Sequence, residues 1–323
     1  MIKAQIKNIG MLFLATLLMV GCKDDFDAIP SSVEFTALTQ TALTNQTQKF
    51  TFTAGTGTIT LTSAKGVKIN INSANLTKGG LPVTGAVEIT YVEIFDKGHM
   101  LVTNKPTMGI MSDGTHNLLI SGGEFYIQAT QGGQELATTT SITLLVPTAL
   151  TDGLDNTMQL WTGLIDIEGT LVWKNVNDAN NTTGGRGGVQ GEKDNYYVSF
   201  GNFGWTNVDR FYSDPRTKIT ILVQAPEGYD NKNSAVYLSY DGEGKNALAK
   251  LDKFTAEGLF SEHYGQIPIG LACHIIFATE EDGKWKYAIK GVTVKANDIY
   301  TFTSSELITA TEDELVAAIN LIQ

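Results

Sequence analysis

From Phe50 onward, apolar side chains recur at every second position in short runs. Phe50/Phe52, Ile59/Leu61, Val67/Ile69/Ile71, Val87/Ile89/Tyr91, Phe125/Ile127 and Ile142/Leu144/Val146 alternate with Thr, Lys, Asn or Glu. A period of two sends one face of each run into a core and the other into water, the pattern of half-buried antiparallel strands. Gly-rich breaks separate the runs at Lys78-Gly79-Gly80, Ser112-Asp113-Gly114, Ser121-Gly122-Gly123 and Gln131-Gly132-Gly133, where glycine supplies the positive φ of tight turns. The pattern predicts an all-β fold of two antiparallel β-sandwich-like domains, the first over residues 48–148. Pro147 and the segment after it read as a linker, and a second β-rich domain is expected over residues 158–323. Its predicted strands cover 169–174, 196–203, 218–224, 235–240, 272–278, 285–290 and 299–302, with Glu281-Asp282-Gly283-Lys284 as a hairpin turn. Thr311 and Glu314 have capping-box spacing, and Leu315, Ala318, Ile319 and Ile322 recur at helical spacing. A short C-terminal helix is therefore expected.

The first residues carry a different signal. Lys3 and Lys7 precede an apolar run from Ile9 to Val20, shorter than the ~20 residues of a membrane-spanning helix. A basic flank with a short apolar core reads as an export signal peptide over residues 1–21. It ends in Leu18-Met19-Val20-Gly21-Cys22, which resembles the lipobox of bacterial lipoproteins, with Met19 where Leu is more usual. The resemblance implies a diacylglyceryl group on Cys22, cleavage before it, and acylation of the new amine by a palmitate-type chain. Several acyl chains anchor stably where one is marginal. Lys23-Asp24-Asp25 resembles the surface-export signal of Bacteroidota lipoproteins, which implies an outer-membrane, lipid-anchored protein facing the cell exterior. Residues 22–47, rich in Thr, Gln, Ser and Asn, read as a surface tether.

Charge narrows the partners. The chain has 23 Lys+Arg against 34 Asp+Glu, a formal charge of -11. A nucleic-acid binder needs a basic footprint, so that class is excluded. Contact with the membrane is expected through the N-terminal lipid, and a protein or glycan is the remaining kind of ligand.

Gly66-Val67-Lys68-Ile69 through Leu81-Pro82-Val83-Thr84-Gly85-Ala86-Val87-Glu88-Ile89 resembles a β-domain common in Bacteroidota surface lipoproteins. More distantly it is similar to the ZU5-type sandwich of eukaryotic scaffold and receptor proteins. Ser121-Gly122-Gly123-Glu124-Phe125-Tyr126-Ile127-Gln128-Ala129 resembles that domain's closing strand. The His-Phe-Ser sequence at which some ZU5-like domains cut themselves is missing, so self-cleavage is not implied. Trp205 to Phe211 and Ile267 to Gly270 are similar to C-terminal domains of uncharacterised lipoprotein families.

Catalytic motifs are scarce. The four histidines, His99, His116, His263 and His274, show no metal-ligand spacing and no His-Glu-x-x-His helix. Neither a Gly-x-Ser-x-Gly elbow nor a Walker loop occurs, and no metal, cofactor or catalytic residue is assigned. His116 reads as a turn residue, His274 as a core histidine and Cys273 as a buried small hydrophobe. Residues 175–195 lack apolar periodicity. Asn175, Asn177, Asp178, Asn180 and Asn181 offer oxygen ligands for calcium, but the EF-hand order and its closing Glu are absent. The segment is expected to be an exposed loop, its ends together at one sheet edge, cut first by trypsin at Arg186 or Lys193. A strand over 203–209 would put Trp205, Asn207 and Asp209 on one face. They would form either a sugar-stacking platform or a core Trp with its polar ties. The expected function is a non-enzymatic, surface-exposed lipoprotein serving as a binding or scaffold component. The alternatives are a carbohydrate-binding lipoprotein of a glycan-uptake system and a hydrolase using Asp166 and Glu168.

The anchor is directly testable. Cys22→Ser is expected to abolish acyl labelling and leave the chain unprocessed or mislocated with its β domains folded. Normal labelling of that variant removes the lipobox reading.

Overall fold

The computed structural model describes residues 29–165, 170–177, 187–262 and 265–322. In chain order, helix α1 (Ser32–Asn45) precedes β1 (Gln48–Ala54), β2 (Thr58–Thr62), β3 (Lys68–Asn72), β4 (Gly85–Ile94), helix α2 (Lys97–Val102), β5 (Met108–Ile110), β6 (His116–Gln131) and β7 (Ile142–Pro147). Then come β8 (Gln159–Ile165), β9 (Leu171–Asn175), β10 (Gly188–Glu192), β11 (Asn195–Phe200), β12 (Gly204–Phe211), β13 (Ser234–Tyr240), β14 (Ala272–Glu281), β15 (Lys284–Thr293), β16 (Ile308–Ala310) and helix α3 (Glu312–Asn320). The fold is all-β and sandwich-like, and the short C-terminal helix is present.

The larger sheet runs β1-β4-β6-β12-β8-β9-β5, and the smaller one β10-β11-β7-β3-β2. Alternation sends Ile69, Ile89, Ile127, Leu144 and Val198 into one shared core. Both sheets mix strands from either side of Pro147, because β7 lies between β3 and β11, and β6 between β4 and β12. The linker expected at 147–157 is therefore a connection inside one sandwich that extends to β12. Residues 48–148 lack the strands that cover β6 and β7 on their second edges, and β11 and β12 supply them.

Ser121-Gly122-Gly123, expected as a turn, is instead a bulge within β6. Its neighbour β12 pairs Asn207 with Glu124 but Asp209 with Ser121. Gly123 has φ +123°, and a Cβ there would meet the Phe95 and Phe125 rings at 2.6 and 2.7 Å. Bulges bend a strand and raise its twist. The bend lets the start of β6 pair with β5, which also pairs in parallel with β9. Strands β5, β6, β12, β8 and β9 thus close into a small ring around Leu119, Trp161, Leu171 and Trp173.

The second unit is built on β13-β14-β15-β16, with Asp282 (φ +50°) and Gly283 (φ +78°) forming the expected β14–β15 turn. Its central strands are buried on both faces. Val236, Ile275 and Phe277 join the main core, while Tyr237, Ile276 and Trp285 face a helical layer. That layer corrects the tether reading: residues 32–45 are α1. Ser31 and Glu34 form a capping box, and Phe35, Thr39 and Ala42 fall on one buried stripe beneath the Thr-rich surface. Phe35 meets Trp285 edge-on at 6.2 Å. Helix α3 has the expected Thr311–Glu314 box and buries Leu315 and Ile319.

The expected loop at 175–195 is also revised. Residues 188–192 form β10, paired along its length with β11, and Lys193 (φ +54°) makes the turn between them. Val189 packs on the core. Strand β9 belongs to the larger sheet and β11 to the smaller, so the segment's ends do not share an edge. Arg186 and the Asp178, Asn180 and Asn181 ligands lie outside the described residues.

Helix α2 joins the two units. Lys97 is completely buried, and its Nζ donates to Ser239 Oγ (2.9 Å), Gly244 O (3.0 Å) and Ile322 O (2.7 Å). Lys97→Met fills the space but removes all three bonds, the one to buried Ser239 among them. It is expected to lower stability by at least about 2 kcal/mol in urea unfolding; an unchanged midpoint would show that the three bonds are replaceable.

Candidate functional site

Strand β12 places Trp205, Asn207 and Asp209 on one face, as the alternation predicted. That face is covered. Asn207 and Asp209 have no exposed surface, and Asn207 Nδ2 donates to Asp209 Oδ2 at 2.6 Å. Ser121 Oγ donates to Asn207 Oδ1, while Asn246 Nδ2 of the second unit donates to Ser121 O. Half-buried Trp205 packs against Tyr126 and Trp173, with Lys105 Nζ 5.7 Å from its ring centre. These residues form a polar seam between units. They present no platform to a sugar.

The open surface lies on the opposite side of the sandwich, on the outer face of the smaller sheet. Tyr196 and Val198 point into the core, so Tyr197 between them points out and is 49% exposed. Strand register puts Leu145 and Gln190 on either side of it, with Lys68 beyond Leu145. The adjacent row is Thr60, Asn70, Thr143, Ser199 and Gly188. Thr60 Oγ1 donates to Asn70 Oδ1 (2.7 Å), and Asn70 Nδ2 donates to Thr143 Oγ1 (3.3 Å), which fixes that amide. Gly188 leaves its end of the row open, since nothing lies within 4 Å of where a Cβ would be. The result is a shallow depression of about 530 Å³. An aromatic face beside ordered hydroxyls and amides can stack a pyranose ring and bond its hydroxyls.

Sequence reading missed this site although half of its signal was available. The alternation of Tyr196, Tyr197 and Val198 already turns Tyr197 away from the core. Which sheet face stays uncovered is a matter of tertiary packing.

The remaining candidates are accounted for as follows. Cys22, Lys23, Asp24 and Asp25, together with Asp166, Glu168 and His263, lie outside the described residues. His99 Nδ1 sits 2.8 Å from the Asp96 carboxylate and His274 Nδ1 2.7 Å from Asp241 Oδ1, so His274 is a half-buried partner of a carboxylate rather than a core residue. His116 begins β6 and faces Asp252. Cys273 is fully buried, and burial pushes its thiol up to about 12. Among the described residues no helix is long and apolar enough to cross a membrane, and no three His, Cys, Asp or Glu gather as metal ligands.

No family model, curated protein or solved structure matches the chain. What it does has to be read from its own surfaces.

One buried group stands out chemically. Glu124 is fully buried at the β6 bulge, and among the described residues neither of its carboxyl oxygens has a hydrogen-bond partner. Burial raises it well above the ordinary carboxylate range, and the neighbouring Asp209 adds to the rise. Burial also lowers the Lys105 ammonium, with Glu124 pulling it back up. Because the folded state holds the Glu124 proton more firmly than the unfolded chain, its contribution is fully present below the unfolded pKa. That contribution is lost as pH rises toward the raised folded value. Glu124→Gln removes the titration while keeping the shape. Urea unfolding at pH 5 and pH 8 should show the variant gaining about 1–3 kcal/mol on wild type between the two; equal differences at both pH values would mean that Glu124 is ionised throughout.

Proposed function

We propose that the chain is a non-enzymatic, lipid-anchored binding protein displayed on the outer face of the outer membrane, and that it holds a glycan on the sheet face around Tyr197. The anchor rests on the basic, apolar, Gly21-Cys22 start and the Lys23-Asp24-Asp25 that follows. The observation that carries the ligand class is the outward Tyr197, half exposed and flanked by Gln190 and the Asn70–Thr143 pair. Strand-held side chains cost little ordering on binding, so a flat, fixed row suits an extended polymer. Glu124 and Asp209 are sealed from solvent, so this pair does not serve as an accessible acid and base.

Affinity electrophoresis across a polysaccharide panel tests the reading. At least one neutral polysaccharide should retard the protein, and Tyr197→Ala should abolish the shift at an unchanged melting temperature, since about half of that side chain is already in water. Stacking of this kind is worth about 0.5–1.5 kcal/mol per ring, and more with the hydroxyl bonds. A panel without any shift, or a shift that survives Tyr197→Ala, counts against it and leaves a scaffold role.

A further inference from the structure

A second cavity lies away from the Tyr197 face, where α1, the loop after α2 and the second unit meet. It holds about 290 Å³. That is the scale of a single small molecule, at the lower end of ordinary ligand pockets. Its charge is opposite to that of the chain. Among the described residues Lys105, Lys232 and Lys250 line it against one carboxylate, Asp252, in a protein with eleven more acids than bases. Asp252 is itself turned to His116, with Oδ2 3.8 Å from the ring.

Two of these ammonium groups are under-used. Lys105 is half-buried, and among the described residues its Nζ donates to Thr103 O, at 3.4 Å, beside the Trp205 ring. Lys232 Nζ is exposed and has no acceptor among the described residues; only its backbone N–H is bonded, to Asp230. Apolar walls of Phe35 and Phe260 on either side concentrate the field of the ammonium groups, as low-dielectric clefts do. The rest of the lining is hydroxyl and amide. Asn104 lines the cavity and is already fixed, because its Oδ1 accepts from Tyr237 OH at 2.9 Å, which leaves its Nδ2 as the donor end of the amide. Thr36, Gln40 and Asn231 supply further polar groups.

We propose that this cavity binds a small hydroxylated organic anion, with its carboxylate or phosphate between Lys105 and Lys232 and its hydroxyls on Asn104 and Asn231. An anion supplies Lys105 with a closer, charged acceptor than Thr103 O, and charge-assisted bonds of this kind are roughly twice as strong as neutral ones. The volume excludes a polymer, so the site is separate from the open face around Tyr197.

Calorimetry on the folded chain tests it with three probes: D-glucuronate, glucose 6-phosphate and glucose. At least one anion should bind while glucose gives no measurable heat, and which anion binds separates a sugar acid from a sugar phosphate. Lys105→Met and Lys232→Met should each weaken binding at least about tenfold. Lys49→Met, on β1, and Tyr197→Ala should leave it unchanged. Lys232 is exposed, so its variant keeps the fold and guards against a merely unfolded Lys105 variant. Silence from both anions, glucose binding as tightly as they do, or unchanged binding in Lys232→Met overturns the proposal. A wild-type chain that binds an anion but is retarded by no polysaccharide would sink the Tyr197 reading alone.

Discussion

The relative placement of the two units depends on one buried ammonium group. Lys97 carries a charge into a fully enclosed position, and burial brings its pKa down to about 8 against the pull of Asp241. Three acceptors from β13, the Gly244 turn and the end of α3 compensate. The flanking residues repeat the logic. Lys97 N donates to Lys245 O, and Gly98 N to Asn320 Oδ1. Burial works to raise the Asp96 carboxyl, yet the His99 and Asn320 bonds outweigh it and bring the group down to about 2. Gly98 completes the contact, since a Cβ there would sit 2.6 Å from Val316 O. A six-residue helix has too few turns to hold itself. It exists because α3 and the second unit satisfy it. The loop that follows α2 carries Thr103, Asn104 and Lys105, so the same joint sets one wall of the basic cavity.

The bulge in β6 is the second constraint. One strand has to serve the sandwich and the small five-strand ring, and the Gly122-Gly123 irregularity allows the change of direction. The bulge also leaves Glu124 fully buried with no hydrogen-bond partner among the described residues. An unpaired buried carboxylate is costly, and burial raises the Glu124 carboxyl accordingly. The aromatic cluster nearby has its own polar ties: Trp161 Nε1 donates to Asp209 O and Trp173 Nε1 to Pro106 O. These bonds fix the rings inside a closed strand ring, where the sequence alone had allowed Trp205 and its neighbours either a core or a ligand-facing role.

Legibility followed the range of the interaction. The period of two, the Asp282-Gly283 turn and the Thr311–Glu314 capping box are local, and each could be read from a few residues. Strand partnership is not local. Alternation in β7 says that Leu144 and Val146 face inward, but not that β11, some fifty residues on, covers its open edge. The tether reading failed for a related reason. Thr and Gln dominate residues 36–47, and only the sparse stripe of Phe35, Thr39 and Ala42 marks the face that docks on Trp285. In β10, a single inward Val189 among Gly, Gln and Glu gave too little alternation to reveal a strand. Tyr197 was half legible, since its direction follows from its neighbours while the bareness of its sheet does not.

The two candidate surfaces differ in how their side chains are held, and this bears on what each can recognise. Around Tyr197 every contacting group stands on a strand of a hydrogen-bonded sheet, so the face is fixed before a ligand arrives and presents hydroxyls and amides with one cation, Lys68, at its margin. Such a surface discriminates by shape and hydroxyl spacing. The cavity by Lys105 draws on α1, the loop after α2, and the 231–234 and 250–252 segments, which the Lys97 joint brings together. Its walls come from parts of the chain that no single sheet aligns, and its recognition rests on charge set in a confined, partly apolar space. On a chain this acidic, long-range repulsion opposes any anion. Selectivity for one must therefore come from short-range contact with the ammonium groups, of which Lys232 has no side-chain acceptor among the described residues.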